Sequence, residues 1–259
     1  KSNIVANLGI AFANLGSRVL IIDADVGLAN MDIVLGIKPQ FTIQELLSGE
    51  AKIDAVITQA YENLWVLPAA SGVAELAEFS EEDKIRFLEE IETIESQYDL
   101  ILLDTSAGIS PTVRYFNAAA QEVFIIATTE PTSMTDAYAI IKVLYMKDGV
   151  KNFRLIVNQV KNSQEARMVY EKLSHVTENF LSIKLDFVGY IFSDPHVAKA
   201  VRQRKPFLLA FPDSVASKCI TSIAQAILKH PPQGTEGRAN IFWRNLVQNI
   251  NLKENRVTP

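Results

Sequence analysis

Short apolar runs alternate with helix-length segments along most of this chain, and this alternation constrains its fold more than any other feature. Six runs are continuous and rich in Ile, Leu and Val, which is typical of strands buried on both faces. They cover residues 18–23, 63–67, 100–104, 123–128, 153–158 and 187–191. Because strands separated by helices pair in parallel, the pattern predicts an α/β fold: a doubly wound, mostly parallel sheet with helices on both faces.

Apolar residues at helical spacing fill the intervals between these runs. The predicted helices cover about residues 2–15, 43–47, 85–98, 133–146, 164–180, 197–203 and 214–228. Ser80 and Asp83 resemble an N-cap arrangement before the third of them. Residues 230–237 (HPPQGTEG) form a Pro- and Gly-rich breaker. We therefore divide the chain into a domain over 1–229, a linker over 230–237 and a terminal segment over 238–259.

The terminal segment predicts one more helix, over residues 239–252. At 100° per residue its bulky apolar side chains fall in a single arc, opposite polar ones. They are Phe242, Trp243, Leu246, Val247 and Ile250. Such a face, with Arg and Lys nearby, is typical of an amphipathic helix that lies in a membrane surface. A helix packed permanently on the domain is the alternative, and the two arrangements could alternate.

The bulk composition argues against several classes of function. The net charge of −5 disfavours a nucleic-acid partner, because domains that bind nucleic acids usually run basic. The basic run 199–205 is interpreted as a solvated helix face rather than a DNA contact. Cys219 is the only cysteine, which excludes an intrachain disulfide and fits a reducing, cytoplasmic location. No apolar run approaches the roughly 20 residues that span a bilayer.

Two stretches near the start of the chain carry residue types that bind phosphate and magnesium. Lys1 and Ser2 open a helix, and Lys and Ser at a helix start are the residues with which a P-loop holds phosphates and Mg²⁺. The stretch IIDADVGLANMD places Asp23 and Asp25 at the end of a strand, on the same side of an extended chain, where they can share a hydrated Mg²⁺. Taken singly, each stretch has an alternative interpretation. Lys1 and Ser2 could be a charged chain terminus, and Asp23 and Asp25 could be solvated aspartates in a turn.

A third stretch, LILLDTSAG, has four apolar residues that end in Asp104. This is the pattern of a buried strand that delivers a Walker B aspartate to the metal. Gly108 follows four residues later, where a backbone N–H without a side chain can approach a γ-phosphate closely. Apolar strands that end in Asp are common, so it is the order of the three stretches that makes the pattern specific.

In this order and with this spacing, Lys1-Ser2, DADVGLANMD and DTSAG resemble the deviant Walker A, switch I and switch II motifs of the MinD/ParA family of P-loop ATPases. The resemblance covers nearly the whole chain to Pro212. Within that family, GLANMDIVLG and DPHVAKAVRQRKPFL are most similar to the FlhG branch, which regulates flagellar number. The family carries a further lysine in its glycine-rich loop, and we expect that loop and the strand before it to lie upstream of Lys1.

The resemblance implies ATP and Mg²⁺ as cofactors and a role for each position. Lys1 would bind phosphate and Asp25 would orient the attacking water, so these two are the candidate catalytic residues. Ser2, Asp25 and Asp104 are the candidate metal-binding residues, with Asp23 supporting the metal from behind.

The resemblance extends to the γ-phosphate and the base. Gly108 would sense the γ-phosphate together with Asp104. Asn158 matches the family asparagine that reads the adenine edge, and the loop around Asp194 and Pro195 would close over the base.

The resemblance also implies slow hydrolysis, an ATP-dependent homodimer and peripheral association with the inner leaflet of the cell membrane. The implied partners are an FlhF-type GTPase and proteins of the flagellar switch complex, or a flagellar transcription activator. Division-site selection of the MinD type and partitioning of DNA or cargo of the ParA type are alternatives within the family. A metabolic P-loop enzyme and a non-hydrolysing scaffold are alternatives from other classes.

Overall fold

The structure is a computed structural model that describes residues 1–25, 29–69 and 80–230 of the 259-residue chain. Its strands are β1 (Val19–Asp23), β2 (Thr58–Tyr61), β3 (Leu64–Leu67), β4 (Leu100–Asp104), β5 (Val123–Ala127), β6 (Phe153–Val160) and β7 (Asp186–Phe192). Its α-helices are α1 (Ser2–Asn14), α2 (Met31–Leu35), α3 (Ile43–Ser48), α4 (Ile53–Val56), α5 (Glu81–Ile94), α6 (Pro111–Ala119), α7 (Pro131–Asp148), α8 (Ser163–Leu181), α9 (Pro195–Arg202), α10 (Phe207–Ala210) and α11 (Val215–Lys229).

The strands form two sheets. The first has the order β2-β3-β1-β4, in which β1 pairs in parallel with both neighbours and β2 pairs antiparallel with β3. The second has the order β5-β6-β7 and is parallel throughout. The β1 side chains are buried along the whole strand, as expected for a central strand covered on both faces.

Three apolar clusters hold helices against the two sheets. On one face, α1, α10 and α11 pack on residues of both sheets, so this layer joins them. On the other face of the first sheet lie α3, α4, α5 and α6, with Phe87 and Phe116 in edge-to-face contact. On the other face of the second sheet lie α7 and α8. The predicted α/β class, with mostly parallel strands and helices on both faces, is confirmed.

All six predicted strands are present, with ends shifted by at most two residues, and the structure adds elements that the pattern did not indicate. Strand β2 has the sequence TQAY, which contains no apolar run, because it is an antiparallel edge strand with exposed or half-buried side chains. Helix α6 was not predicted, although Ser110 caps it and Pro111 occupies its first turn. The short helices α2, α4 and α10 were also missed.

The predicted linker beyond His230 and the terminal helix with Phe242, Trp243, Leu246, Val247 and Ile250 lie outside the described residues. Among the helices that the structure describes, none has both the length and the apolar character that a membrane crossing requires.

Candidate functional site

Two aspartates meet at the carboxyl edge of the first sheet. Strands β1 and β4 are parallel neighbours and end in register at Asp23 and Asp104. Each aspartate is only 2% exposed. Burial raises the pKa of Asp23 to about 7, although N–H groups of Met31 and Asp25 donate to its carboxylate, and the nearby Asp104 adds to the rise. Burial also raises the pKa of Asp104. The fold therefore holds two carboxylates whose negative charges the protein itself compensates poorly.

The start of α1 faces these carboxylates. The hydroxyl of Ser2 donates a hydrogen bond to Asp104. The charges of Asp104, Asp136 and Asp25 reach the ammonium of Lys1 and oppose the lowering of its pKa by desolvation. No side chain caps this helix start and its first turn contains no acidic residue. Free N–H groups and the positive end of the helix dipole are thus open to an anion.

Asp25 lies half-buried just past β1. The strand ends at Asp23, and the N–H of Ala24 still donates to the carbonyl of Asp104 at 2.9 Å, while the N–H of Asp25 donates to the Asp23 carboxylate at 3.2 Å. The charges of the two carboxylates interact.

Gly108 lies in the exposed loop between β4 and α6. Its φ of +97° is a conformation that residues with a side chain rarely adopt, whereas a Cβ at this position would meet nothing within 4 Å. The backbone conformation, rather than crowding, therefore requires glycine here. This loop starts directly after Asp104, at the end of β4.

The residues predicted to contact the base lie at the carboxyl end of the second sheet. Asn158 is half-buried in β6, opposite Ile191 of β7. Strand β6 runs two residues beyond the predicted end, past an irregularity at Gln159, whose φ is +61°. Asp194 and Pro195 follow β7 and start α9.

Both carboxylate oxygens of Asp194 accept hydrogen bonds from backbone N–H groups. One oxygen accepts from the N–H of His196 at 2.9 Å and the other from the N–H of Ala216 at 3.0 Å. Burial alone would raise the pKa of Asp194, but these hydrogen bonds and the His196 ring lower it to about 2. Asp194 thus joins the starts of α9 and α11. Because both of its oxygens are bonded within the protein, its predicted contribution to base binding is to hold the shape of the loop.

Within the described residues, no group of three or more His, Cys, Asp or Glu side chains is arranged to hold a metal ion. Ser2, Asp25 and Asp104 fit instead a magnesium ion that takes most of its ligands from phosphates and water. Asp136, in the second turn of α7, acts electrostatically on Lys1 and was not predicted. It lies within a helix, whereas the sequence pattern of this site consists of carboxylates at strand ends.

Known proteins resemble the chain over nearly its full length. A family model described as an AAA domain matches residues 1–157. The antiactivator FleN of Pseudomonas aeruginosa is 37% identical over 96% of this chain and 89% of its own length. The flagellum site-determining protein YlxH of Helicobacter pylori is 34% identical over 95% of this chain and 85% of its own length. The solved structure of the MinD cell division protein of Aquifex aeolicus superimposes with a TM-score of 0.71, 25% identity and coverage of 89% and 92%.

The chain belongs to the MinD/ParA family of P-loop ATPases. The resemblance first seen in three short motifs is confirmed. In this MinD/ParA protein the motif residues Lys1, Ser2, Asp23, Asp25 and Asp104 lie at one end of the β1–β4 pair.

A groove separates the two sheets of this MinD/ParA chain. Within the described residues, the outer edge of β4 and the outer edge of β5 have no strand partner. A cavity of about 620 Å³ lies between them, under α1. Apolar residues of α1, β4 and β5 line it, and Lys1 and Asp104 border it as well.

Proposed function

We propose that this chain is an ATP-dependent molecular switch that regulates flagellar number or placement. The observation that carries the proposal is the contact between the Ser2 hydroxyl and Asp104, beside Lys1 and the end of β1. Buried carboxylates with raised pKa values, a cation and an uncapped helix start are an arrangement for a metal-bound polyphosphate. Relatives at 37% and 34% identity are named as an antiactivator and as a flagellum site-determining protein.

The proposed cofactors are ATP and Mg²⁺, and we propose a role for each predicted residue in binding them. Lys1 and the start of α1 would hold the phosphates, while Ser2, Asp25 and Asp104 would hold the metal. Bound Mg²⁺ supplies positive charge that neutralises the phosphates. Because Asp23 and Asp104 are buried and poorly compensated, such a cation would relieve an electrostatic cost that the protein bears without it.

Hydrolysis is proposed to depend on positioning rather than on covalent chemistry. Asp25 is half-buried beyond the strand end, so its carboxylate is the one with access to a water molecule. We propose that it orients this water toward the γ-phosphate. Gly108, at the turn after Asp104, would report the presence of that phosphate to α6, and Asn158 with the loop at Asp194 and Pro195 would hold the base.

We further propose that the strand preceding Lys1 in the full-length protein occupies the groove between β4 and β5. A parallel strand there would end beside Asp104 and Lys1, one short loop from the start of α1. That loop would be the glycine-rich one expected upstream. Amide hydrogen exchange on the full-length protein tests this: β4 and β5 should both be protected, and rapid exchange along either outer edge would contradict it.

A switch needs two states, and we propose an ATP-bound homodimer and an ADP-bound monomer. The dimer would bring residues 239–252 of two chains to the inner leaflet of the membrane, where two anchors bind more firmly than one. The proposed partners are an FlhF-type GTPase and proteins of the flagellar switch complex, or a flagellar transcription activator.

Asp25→Ala tests the proposed switch. Replacement should lower ATP turnover about 100-fold, which is typical for loss of a group that acts on the attacking water, while Mg-ATP still binds. Asp213→Ala, at an exposed carboxylate just before α11, is the control and should leave turnover unchanged. Unchanged turnover in Asp25→Ala would reject its role, and failure of the full-length protein to bind ATP would reject the function.

Two further measurements test the cellular part of the proposal. Deleting residues 239–259 should abolish co-sedimentation with liposomes in the presence of ATP. Deleting the gene in the source organism should change the number or position of flagella on each cell. Normal flagellation after deletion would instead favour division-site selection or partitioning.

A further inference from the structure

Two distant parts of the proposed nucleotide site are held by different elements. Lys1 and Ser2 lie at the start of α1, whereas Asp194 and Pro195 lie at the start of α9, just after β7. A nucleotide that contacts both places requires a fixed distance between them. Apolar packing on its own specifies such a distance poorly, because it has no direction, whereas hydrogen bonds are directional.

Asn7 joins α1 to the segment on the base side. Its side chain is completely buried, with 0% exposed. The amide nitrogen donates to the carbonyl of Asn3 at 2.6 Å, one turn earlier in α1. The amide oxygen accepts from the N–H of Leu208 at 2.8 Å, across a sequence separation of 201 residues. The N–H groups in the first turn of a helix have no acceptor within that helix, so Asn7 supplies the one that Leu208 of α10 needs.

The hydrogen-bonded connection continues from α10 to Asp194. Ser217 of α11 is also 0% exposed, and its hydroxyl donates to the carbonyl of Phe211 at 2.8 Å. The carbonyl of Phe207, in the first turn of α10, lies 3.3 Å from the same hydroxyl. The residue before Ser217 is Ala216, whose N–H donates to Asp194. A row of buried and part-buried polar contacts therefore runs from α1 through α10 and α11 to the loop after β7.

We infer that Asn7 is a positioning residue that sets the distance between the phosphate end of α1 and the base-side loop at Asp194. This inference rests on the proposed function. Asn7 does not touch the nucleotide; it determines whether one ligand can reach both ends at once. A nucleoside triphosphate depends on that distance, and a bare triphosphate does not.

The affinity for two probes distinguishes this role from a purely structural one. We compare ATP with inorganic tripolyphosphate, both with Mg²⁺, on the full-length protein. Asn7→Leu should weaken ATP binding about tenfold, which corresponds to the loss of one buried hydrogen bond. Tripolyphosphate binding should stay within about twofold of the parent, because the start of α1 is unchanged. Simple destabilisation lowers the folded fraction but does not change the ratio of the two affinities.

Asn117→Leu is the matched control. Asn117 makes the same bond within a helix, from its amide nitrogen to the carbonyl of Val113 at 2.7 Å, but on α6. Its replacement should leave the ratio unchanged. Asn7→Asp keeps an acceptor for Leu208 and should restore most of the ATP affinity. Should Asn7→Leu not fold, Asn7→Ser makes the same comparison, since a serine hydroxyl in a helix bonds the carbonyl one turn back.

Equal weakening of both probes by Asn7→Leu, or no change in either, would overturn the inference. A parent protein that binds tripolyphosphate but gains no affinity from the adenosine group would also overturn it. A parent that binds neither probe would overturn the proposed function itself, and the inference with it.

Discussion

Asp104 and Asp194 offer a comparison within one molecule. Both lie at the carboxyl end of a parallel strand, but Asp104 is buried, with 2% exposed, whereas Asp194 is half-buried as a residue, with its side chain 5% exposed. The pKa of Asp104 is raised, whereas that of Asp194 is lowered to about 2. The difference lies in the deeper burial of Asp104 and in the donors. Two backbone N–H groups bond Asp194, while the Ser2 hydroxyl bonds Asp104 and does not offset its burial.

The comparison shows how burial can serve two purposes. A carboxylate that accepts backbone N–H groups stabilises the fold, because its charge is compensated in the folded protein. A carboxylate buried without that compensation destabilises the fold when it is ionised and is ready for an external cation. Asp194 belongs to the first kind and Asp104 to the second. Asp23 also belongs to the second, because its burial and the charge of Asp104 outweigh the two backbone N–H groups that it accepts, and its pKa stays raised. Three predictions test this division.

The largest expected effect is on activity. Asp104→Asn removes the charge and keeps the shape, so ATP turnover should fall at least about 100-fold, as when a preorganised charge-stabilising group is lost. In the absence of nucleotide the variant should be at least as stable as the parent, because a poorly compensated charge is gone. Steady-state turnover and chemical denaturation, measured on the same preparation, check both. A variant that is less stable and fully active would reverse the assignment.

The second prediction concerns stability. Asp194→Ala leaves the N–H groups of His196 and Ala216 without their acceptor at the starts of α9 and α11. We expect a loss of about 2–3 kcal/mol in the free energy of unfolding, which combines a lost helix cap with a second unpaired backbone donor. Asp213→Ala, at an exposed site, should cost less than about 0.5 kcal/mol. Urea denaturation of both variants decides the matter, and equal midpoints would show that Asp194 does not join the two helices.

The third prediction, which is the smallest when taken per pH unit, is a dependence of stability on pH, with opposite signs at Asp23 and Asp194. The pKa of Asp23 rises from 3.8 to about 7 on folding. The folded protein therefore binds more protons, and stability contributed by Asp23 falls as pH rises between these values, by up to about 1.4 kcal/mol per pH unit. The pKa of Asp194 is lowered to about 2, so its contribution is complete above 3.8 and is lost as pH falls through about 2.

Unfolding free energies at several pH values, without Mg²⁺ or nucleotide, measure this effect. Asp23→Asn should flatten the slope between about pH 4 and about pH 7, whatever its absolute stability. A slope that is the same in the parent and the variant would show that Asp23 is ionised throughout.

The local sequence was a good guide to elements buried on both faces and a poor one to elements at the edges. The run RVLIID predicted β1 to within one residue, since a central strand buried on both faces must be apolar on both sides. The sequence TQAY gave no such signal for β2, where pairing with β3 decides the structure. Helix α6 had a usable signal in Ser110 and Pro111 that was overlooked.

The residues of the candidate site also differ in whether the local sequence could predict them. Lys1, Ser2, Asp23 and Asp104 could be selected from the sequence, because each motif combines an element end with a suitable side chain. The roles of Asp136 and Asn7 could not, since neither lies in a motif. An aspartate in a helix and an asparagine in an apolar helix gain a role only from the groups that folding brings beside them.

By itself, the sequence determined the α/β alternation, the capped helix starts and the order of the phosphate-binding motifs. These depend on interactions within one turn or one strand, which neighbouring residues specify. The tertiary structure alone decided that β1 lies beside β4 and that Asn7 meets Leu208. Such contacts depend on which surfaces, distant in sequence, pack against each other. Neighbouring residues in the sequence do not specify that pairing.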